Sequence, residues 1–413
     1  MKHIKNIAVA LGIAFVFVVI TYVVMNEHVP LTSEKTKLKL FEFSKEALFP
    51  SAPSNITDSV IMIDTYYDQQ FVMEYETGPY RLPKGLVPVA DRGKLKRCLE
   101  YLKNQGDYKY IILDIFFDKE VCMESDSALY QLIASMPNLI LAKPQEHELA
   151  DKCLETKAWN AQYSQAYWEG DFVKYPFLID NNKSLPLRMY EEMTGRTIQK
   201  KGIAYFDKGL SRNSIILTYE NIDLDKRVYL GGMVDYPIEE VLDDYDVTDK
   251  YIIIGNYEDD LHTTYYGDIP GALINFYAYL ALLHGHHRIT ISIFLFLLFV
   301  FALPIYLKLT RYESIKSVYS KVVMNIFKYP ILKRVGYFSF IGTFIRNILS
   351  YLISPLLGYP LYLTFICWFT YIAFGEAYDI LITTTLFYLM DIIIRCYQES
   401  RIKKEEYERK TNI

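Results

Sequence analysis

Cysteine is scarce and poorly placed for cross-linking. Five occur in 413 residues: Cys98, Cys122 and Cys153 in a long mixed stretch, Cys367 and Cys396 in or near apolar runs. An odd number at wide spacing makes no disulfide framework and offers no metal-ligand pattern. One bridge can form in an oxidising compartment, and nothing in the sequence selects its pair. Catalytic signatures are missing too. There is no Walker-type Gly-rich loop, no His-Glu-x-x-His, no Gly-x-Ser-x-Gly elbow and no Cys-x-x-Cys. The run "LDIFFD" ends like the site of a metal-dependent phosphatase, but Phe116 stands two residues after Asp114, where such enzymes need a second acid. No enzymatic activity and no cofactor are expected. Positive charge is also short in residues 26–288, where 28 basic and 41 acidic residues give −13 against +8 for the rest of the chain. That balance argues against nucleic acid as a partner.

What the chain does have is apolar runs. Residues 7–25 and 289–307 are nineteen-residue runs without a charge, and 347–375 holds twenty-nine uncharged residues. About twenty apolar residues cross a typical hydrocarbon core. A fourth run, 377–395, is interrupted by Asp391, expected near headgroups and Arg395 at its helix end. The first run lacks a small-x-small cleavage site and reads as an uncleaved signal anchor. Lys2 and Lys5 precede it, the stretch 308–346 carries eight Lys/Arg against one acid, and six basic residues follow from Arg395. Positive loops stay cytoplasmic. The expected layout is therefore a cytoplasmic N-terminus (1–6), a span (7–25), an extracytoplasmic domain (26–288), a span (289–307), a basic cytoplasmic loop (308–346), spans at 347–375 and 377–395, and a cytoplasmic tail (396–413). Within the loop, Ile315, Val318, Val322 and Ile326 recur at helical spacing opposite Lys316, Lys321 and Lys328, as in an amphipathic helix on the inner membrane surface.

The 26–288 stretch alternates strand-like and helix-like patterns. Strand runs stand at 59–64, 108–118, 138–143 and 250–256, and helices at 93–104, 126–136 and 270–285, the last with Pro at its start and Gly at its stop. This alternation predicts an α/β extracytoplasmic domain with a largely parallel sheet flanked by helices, beside an α-helical membrane region of four spans. The aromatic-rich segment 144–235 is expected to be an embellishment, a lobe or lid. In open parallel sheets the carboxyl ends of the strands border the ligand crevice. Asp64 and Asp114 sit near the ends of strand runs, Asp118 and Asp126 follow the second strand, and Asp259, Asp260 and His262 follow the last. They would converge on that edge as a ligand or cation site, or serve singly as loop caps. His286 and His287 abut the second span and are expected to meet headgroups.

These segments, in this order, resemble the type-two CHASE domain, an extracellular sensor module of bacterial membrane receptors. The resemblance rests on "VIMID" with its terminal Asp64, "ADRGKLKRCLEYL", "YIILDIFFD" followed by "DSAL", and "YIIIGNYEDDLHTTYYGDIPGALINFYAYLALLHG". It implies one span before the sensor and often three after it, and marks Asp64, Arg92, Asp114, Asp126, Asp260 and Thr263 as the positions of interest. With His262 they form the expected ligand-binding set. Two departures stand out. A Trp-Pro-type segment expected after the first strand is replaced by residues 77–85, "TGPYRLPKG". Family receptors usually continue into a kinase or cyclase, whereas only eighteen residues follow 395 here.

The expectation is a sensor in the bacterial cytoplasmic (inner) membrane. It would bind a small-molecule or protein ligand outside the cytoplasm and signal through a separate partner protein. The alternatives are a metal-dependent extracytoplasmic hydrolase using the Asp cluster, and a structural component of an envelope complex.

Overall fold

The computed structural model describes residues 2–26, 34–49, 55–76, 80, 82–117, 123, 126–143, 162–165, 171–179, 182–220, 222–231, 237–310, 359–375 and 383–394. They fall into two compact units, His28–Arg288 and the flanking residues 1–27 with 289–413. Helix α1 (Lys2–Met25) opens the chain in the flanking unit, and α2 (Glu34–Leu48) opens the central domain.

The centre of the domain is a six-stranded parallel sheet. In chain order come β1 (Val60–Asp64), a hairpin of β2 (Gln69–Tyr75) and β3 (Pro83–Ala90), and helix α3 (Arg92–Gln105). Next are β4 (Tyr110–Leu113), α4 (Asp126–Ser135), β5 (Leu139–Lys143), β6 (Gln162–Gln165), β7 (Asp171–Phe172) and α5 (Leu185–Thr194). The chain continues through β8 (Val228–Tyr229), α6 (Ile238–Asp243), β9 (Tyr251–Gly255), β10 (Leu261–Thr264), β11 (Asp268–Pro270) and α7 (Gly271–Leu283). The sheet runs β8-β1-β9-β4-β5-β6, each neighbouring pair parallel. β1, β4 and β9 are buried along their whole lengths. A parallel strand covered on both faces has no solvent side to encode, hence the unbroken apolar runs.

Strand periodicity then divides the two faces. Ile61, Ile63, Ile111, Leu113, Leu139, Leu141, Ile252 and Ile254 share one core with Leu95, Leu99 and Leu102 of α3, Leu129 and Ile133 of α4, and Ile238 and Leu242 of α6. Each such buried Leu or Ile contributes about 1.5–3 kcal/mol. The opposite face carries Tyr110, which donates to Glu192 of α5, and Tyr251, which packs against Phe276 and Tyr279 of α7. Asp91 caps α3 by accepting from Lys94 N at 2.9 Å, and Gly106 ends it at φ 75°.

Segment 144–235 is not a separate lobe where it is described. It supplies β6 and β8, the two edge strands of the main sheet, and α5 on one face. The strand expected over 108–118 is shorter, ending at Leu113, and β2 and β3 were not foreseen.

In the flanking unit, α8 (Ile291–Leu309) joins α1 as the second helix long and apolar enough to cross a membrane. Two more apolar helices, α9 (Tyr359–Phe374) and α10 (Thr383–Ile394), are shorter over their described residues. Among the described residues, two helices and not four are long and apolar enough to cross a membrane. Arg395 lies outside the described residues, and Asp391 has partners on the other helices. It is buried, accepts from Tyr359 Oη at 2.9 Å and pairs with Lys308 Nζ. The expected amphipathic helix and the rest of the basic loop lie outside the described residues beyond 310.

Candidate functional site

Every loop that follows a strand of a parallel sheet emerges at the same edge, and this edge is strongly polar. β1 ends on Asp64, whose buried carboxylate accepts from the amides of Tyr66 (3.0 Å) and Tyr257 (3.2 Å) through Oδ1. Its Oδ2 lies 3.3 Å from Arg227 Nε, and Arg227 also pairs with Glu258. Burial raises the Asp64 pKa, while the two amides and Arg227 pull against it. Asp64 is thus a loop cap with its charge answered inside the protein.

Asp114, just beyond β4, is different. It is only partly buried, and among the described residues its carboxylate accepts one hydrogen bond, a long one of 3.5 Å from Asn275 Nδ2. Burial and the neighbouring Asp260 push its carboxyl up to about 7, with His262 and Asn275 opposing. A carboxyl poised there can donate as well as accept a hydrogen bond near neutrality. Asp260 follows β9 and sits 3.1 Å from Nε2 of His262, whose ring stands edge-on to Phe172 with centroids 5.0 Å apart. Asn275 completes the group from the second turn of α7, with Tyr175 Oη donating to its Oδ1 at 2.7 Å. The α7 backbone reaches this close because Gly255 and Gly271 lack Cβ atoms. A Cβ on Gly255 would lie 3.0 Å from that of Ala272, and one on Gly271 would lie 2.4 Å from Asp260 Oδ2.

A second constellation lies where α3 and α4 begin at the same edge. Arg92, the first residue of α3, is 4 % exposed, and Asp126, the first of α4, is fully buried. The guanidinium lies over the Phe117 ring at 4.2 Å, and Phe117 meets Tyr130 edge-on. Asp126 Oδ2 accepts from Met123 N at 3.1 Å and from Tyr130 Oη at 3.5 Å. Burial lowers the Arg92 pKa against the opposing pull of Asp126.

The seven expected residues therefore divide. Asp114, Asp260 and His262 come together, Arg92 and Asp126 come together, and Asp64 turns to Arg227. Thr263 does not join them: on β10 it alternates with His262, and its side chain is exposed. Asp259 is exposed too, and Asp118 lies outside the described residues. Sequence reasoning missed Asn275 and Arg227. Asn275 had a signal, as the single polar residue among the apolar ones of α7; Arg227 had none. His287 also differs from expectation. It is fully buried, with Nε2 2.8 Å from Asp207 Oδ2, and Arg288 joins the same carboxylate at 3.1 Å. Cys98 and Cys367 are buried and take part in no disulfide. Among the described residues, no three His, Cys, Asp or Glu side chains are placed to hold a metal ion.

A polar carboxyl edge on a parallel sheet, with apolar helices at either end of the domain, sets the frame for comparison with known proteins. The model of the CHASE2 domain family matches residues 35–306. The chain belongs to the CHASE2 family. CHASE2 domains are extracellular sensors, and the matched span takes in every strand of the sheet and all of the polar groups above. No curated protein and no solved structure matches the chain.

Proposed function

We propose that this CHASE2 protein is a membrane-anchored sensor whose domain lies outside the cytoplasm, binds a ligand at the carboxyl edge of its sheet, and signals through a separate partner. The group formed by Asp114, Asp260, His262 and Asn275 carries the reading. It places an under-bonded carboxyl where an open parallel sheet receives ligands. The partner is inferred from the lack of any catalytic signature in the 413 residues. A cation-dependent hydrolase has no comparable geometry behind it among the described residues.

Four spans with both termini inside remain the proposed topology, and the pairing of helix ends supports it. Asn6 Nδ2 reaches Leu309 O at 3.5 Å, so α1 and α8 run antiparallel. Asp391 near the end of α10 meets Lys308 near the end of α8 and Tyr359 at the start of α9. All four ends that this topology places at the cytoplasmic face are thereby grouped at one level. Exposed apolar side chains such as Phe15, Phe299 and Ile392 suit a lipid surround.

The test is complementation. Deleting the gene changes the transcripts its signal controls, and Asp114→Ala, made at wild-type level and melting like wild type, should fail to restore them. Thr263→Ala should restore them fully. Full restoration by a folded Asp114→Ala protein would sink the proposal.

A further inference from the structure

Helix α2 is apolar on two faces. Leu38 and Phe41 are buried. On the far side Thr36, Leu40, Phe43 and Ala47 follow the four-then-three spacing of a single stripe. All four are exposed, Leu40 to 61 % and Phe43 to 71 %. Leu48 and Phe49, where the helix ends, are exposed as well. The outer face of an ordinary surface helix is polar, so this stripe calls for a cover.

The place of α2 in the domain decides between covers. Helix α7 starts at the carboxyl edge of the sheet, where Gly271 N donates to Asp260 O, and runs back toward the start of β9, where Tyr279 meets Tyr251. It thus delivers the chain to the amino edge. There His286 stands five residues before Ile291, the first residue of α8. Burial lowers the His286 pKa, and the charges of His284, Arg212 and Lys45 lower it further. Burial likewise raises that of Tyr266, and Glu46 and Glu42 add to it. Through Lys45, Glu42 and Glu46, α2 therefore lies at the end of the domain from which the chain passes into α8. It also begins only nine residues after Met25, the last residue of α1. A second copy of the chain is a poor cover, because a stable interface buries about 800 Å² on each partner. The two large side chains of this stripe supply about half of that or less. A bilayer surface needs no such area, since α1 tethers α2 beside it at high effective concentration. We propose that α2 lies on the outer surface of the membrane, with Leu40 and Phe43 at the boundary between headgroups and acyl chains. The amino edge of the sheet then faces the bilayer, and the carboxyl edge with Asp114 faces away from it. This rests on the reading of α1 and α8 as membrane anchors and adds a lipid contact made by the domain itself.

The experiment uses the full chain in phosphatidylcholine vesicles, with or without bromine on the acyl chains to quench any tryptophan that touches them. The protein's own tryptophans are Trp159, Trp168 and Trp368, the last on α9. Each reporter is therefore read as the emission it adds to wild type. An interfacial helix sits about 5–10 Å into the boundary, so Phe43→Trp should lose about half or more of its added emission to brominated lipid. Phe71→Trp, equally exposed but on β2 beyond the carboxyl edge, should lose none. Leu40→Glu in the Phe43→Trp protein should remove most of the loss and leave Tm unchanged, because Leu40 is exposed. No quenching of Phe43→Trp, or equal quenching of Phe71→Trp, overturns the inference. So does an added emission that ignores bromine but changes as the protein is diluted in lipid, which would assign the stripe to a second copy. If Trp368 in wild type also escapes quenching, the anchoring beneath the inference falls with it; if Trp368 is quenched and Phe43→Trp is not, this inference alone falls.

Discussion

Asp114→Asn should stabilise the protein at alkaline pH and do nothing in acid. Burial, and Asp260 beside it, hold this carboxyl near 7 instead of 3.8. The folded state therefore binds the proton more tightly than the unfolded chain, and stability falls as pH rises between 3.8 and about 7. At roughly 1.4 kcal/mol for each tenfold change in proton affinity, the ceiling at about pH 8 is near 4 kcal/mol. Asp114 keeps some contact with solvent, so screening reduces the expected gain to about 2 kcal/mol. Asparagine keeps the shape and can still meet Asn275, but it cannot ionise. For a domain of this size the gain corresponds to a rise in Tm of about 4–8 °C. The assay is thermal melting of the full chain in micelles at about pH 8 and about pH 4. A variant that melts below wild type at the higher pH, or that differs equally at both, would refute the reasoning.

Three further outcomes are expected. Gly271→Ala puts a methyl group 2.4 Å from Asp260 Oδ2 and 3.1 Å from His262 Nε2, so Asp260 must move; melting should report a loss of about 1–3 kcal/mol. Acid should weaken the Asp207 network. Although burial opposes ionisation of Asp207, its bonds from His287, Tyr190 and Arg288 leave its pKa depressed, and burial lowers that of His287. Both groups favour the folded state more at neutral pH, and their stabilisation is lost as pH falls below 6.5 for His287 and below 3.8 for Asp207. Asp207→Asn removes the carboxylate that favours protonated His287, so its melting should be more acid-sensitive than wild type just below pH 6.5 and less so below 3.8. In the flanking unit, Lys308→Met should cost about 3–5 kcal/mol by stranding buried Asp391, and adding Asp391→Leu should restore most of it, measured as resistance to denaturation in micelles.

The sheet was legible where strands are buried on both faces, because "VIMID" and "YIIIG" are continuous apolar runs between turn signals. Helix α3 declared itself through the helical spacing of Leu95, Leu99 and Leu102, and α7 through Pro270 and Gly285. The β2–β3 hairpin did not, since Pro83, Gly85 and Pro88 interrupt any alternation. Nor did the edge strands β6 and β8, short pieces whose strand state is imposed by β5 and β1. At the site, strand ends marked Asp64 and Asp114 as neighbours of one edge, but not which of them is already answered. Arg227 settles that for Asp64 from 163 residues away, through tertiary approach alone. Thr263, marked by the family resemblance, stands next to His262, and the two-residue period of β10 sends it to the other side. Likewise Asp391 finds Lys308 across 83 residues, a pairing that no local pattern encodes.

The most direct measurement concerns which side of the membrane the sensor occupies. A phosphatase that is active only outside the cytoplasm can be inserted at the exposed Gly202–Ile203 turn, between the paired strands Gln199–Lys201 and Ala204–Phe206. A second insertion goes in the tail at 396–413. Activity at the turn and none in the tail is expected. Activity in the tail with a silent turn would place residues 26–288 in the cytoplasm and contradict a sensor that reads the outside.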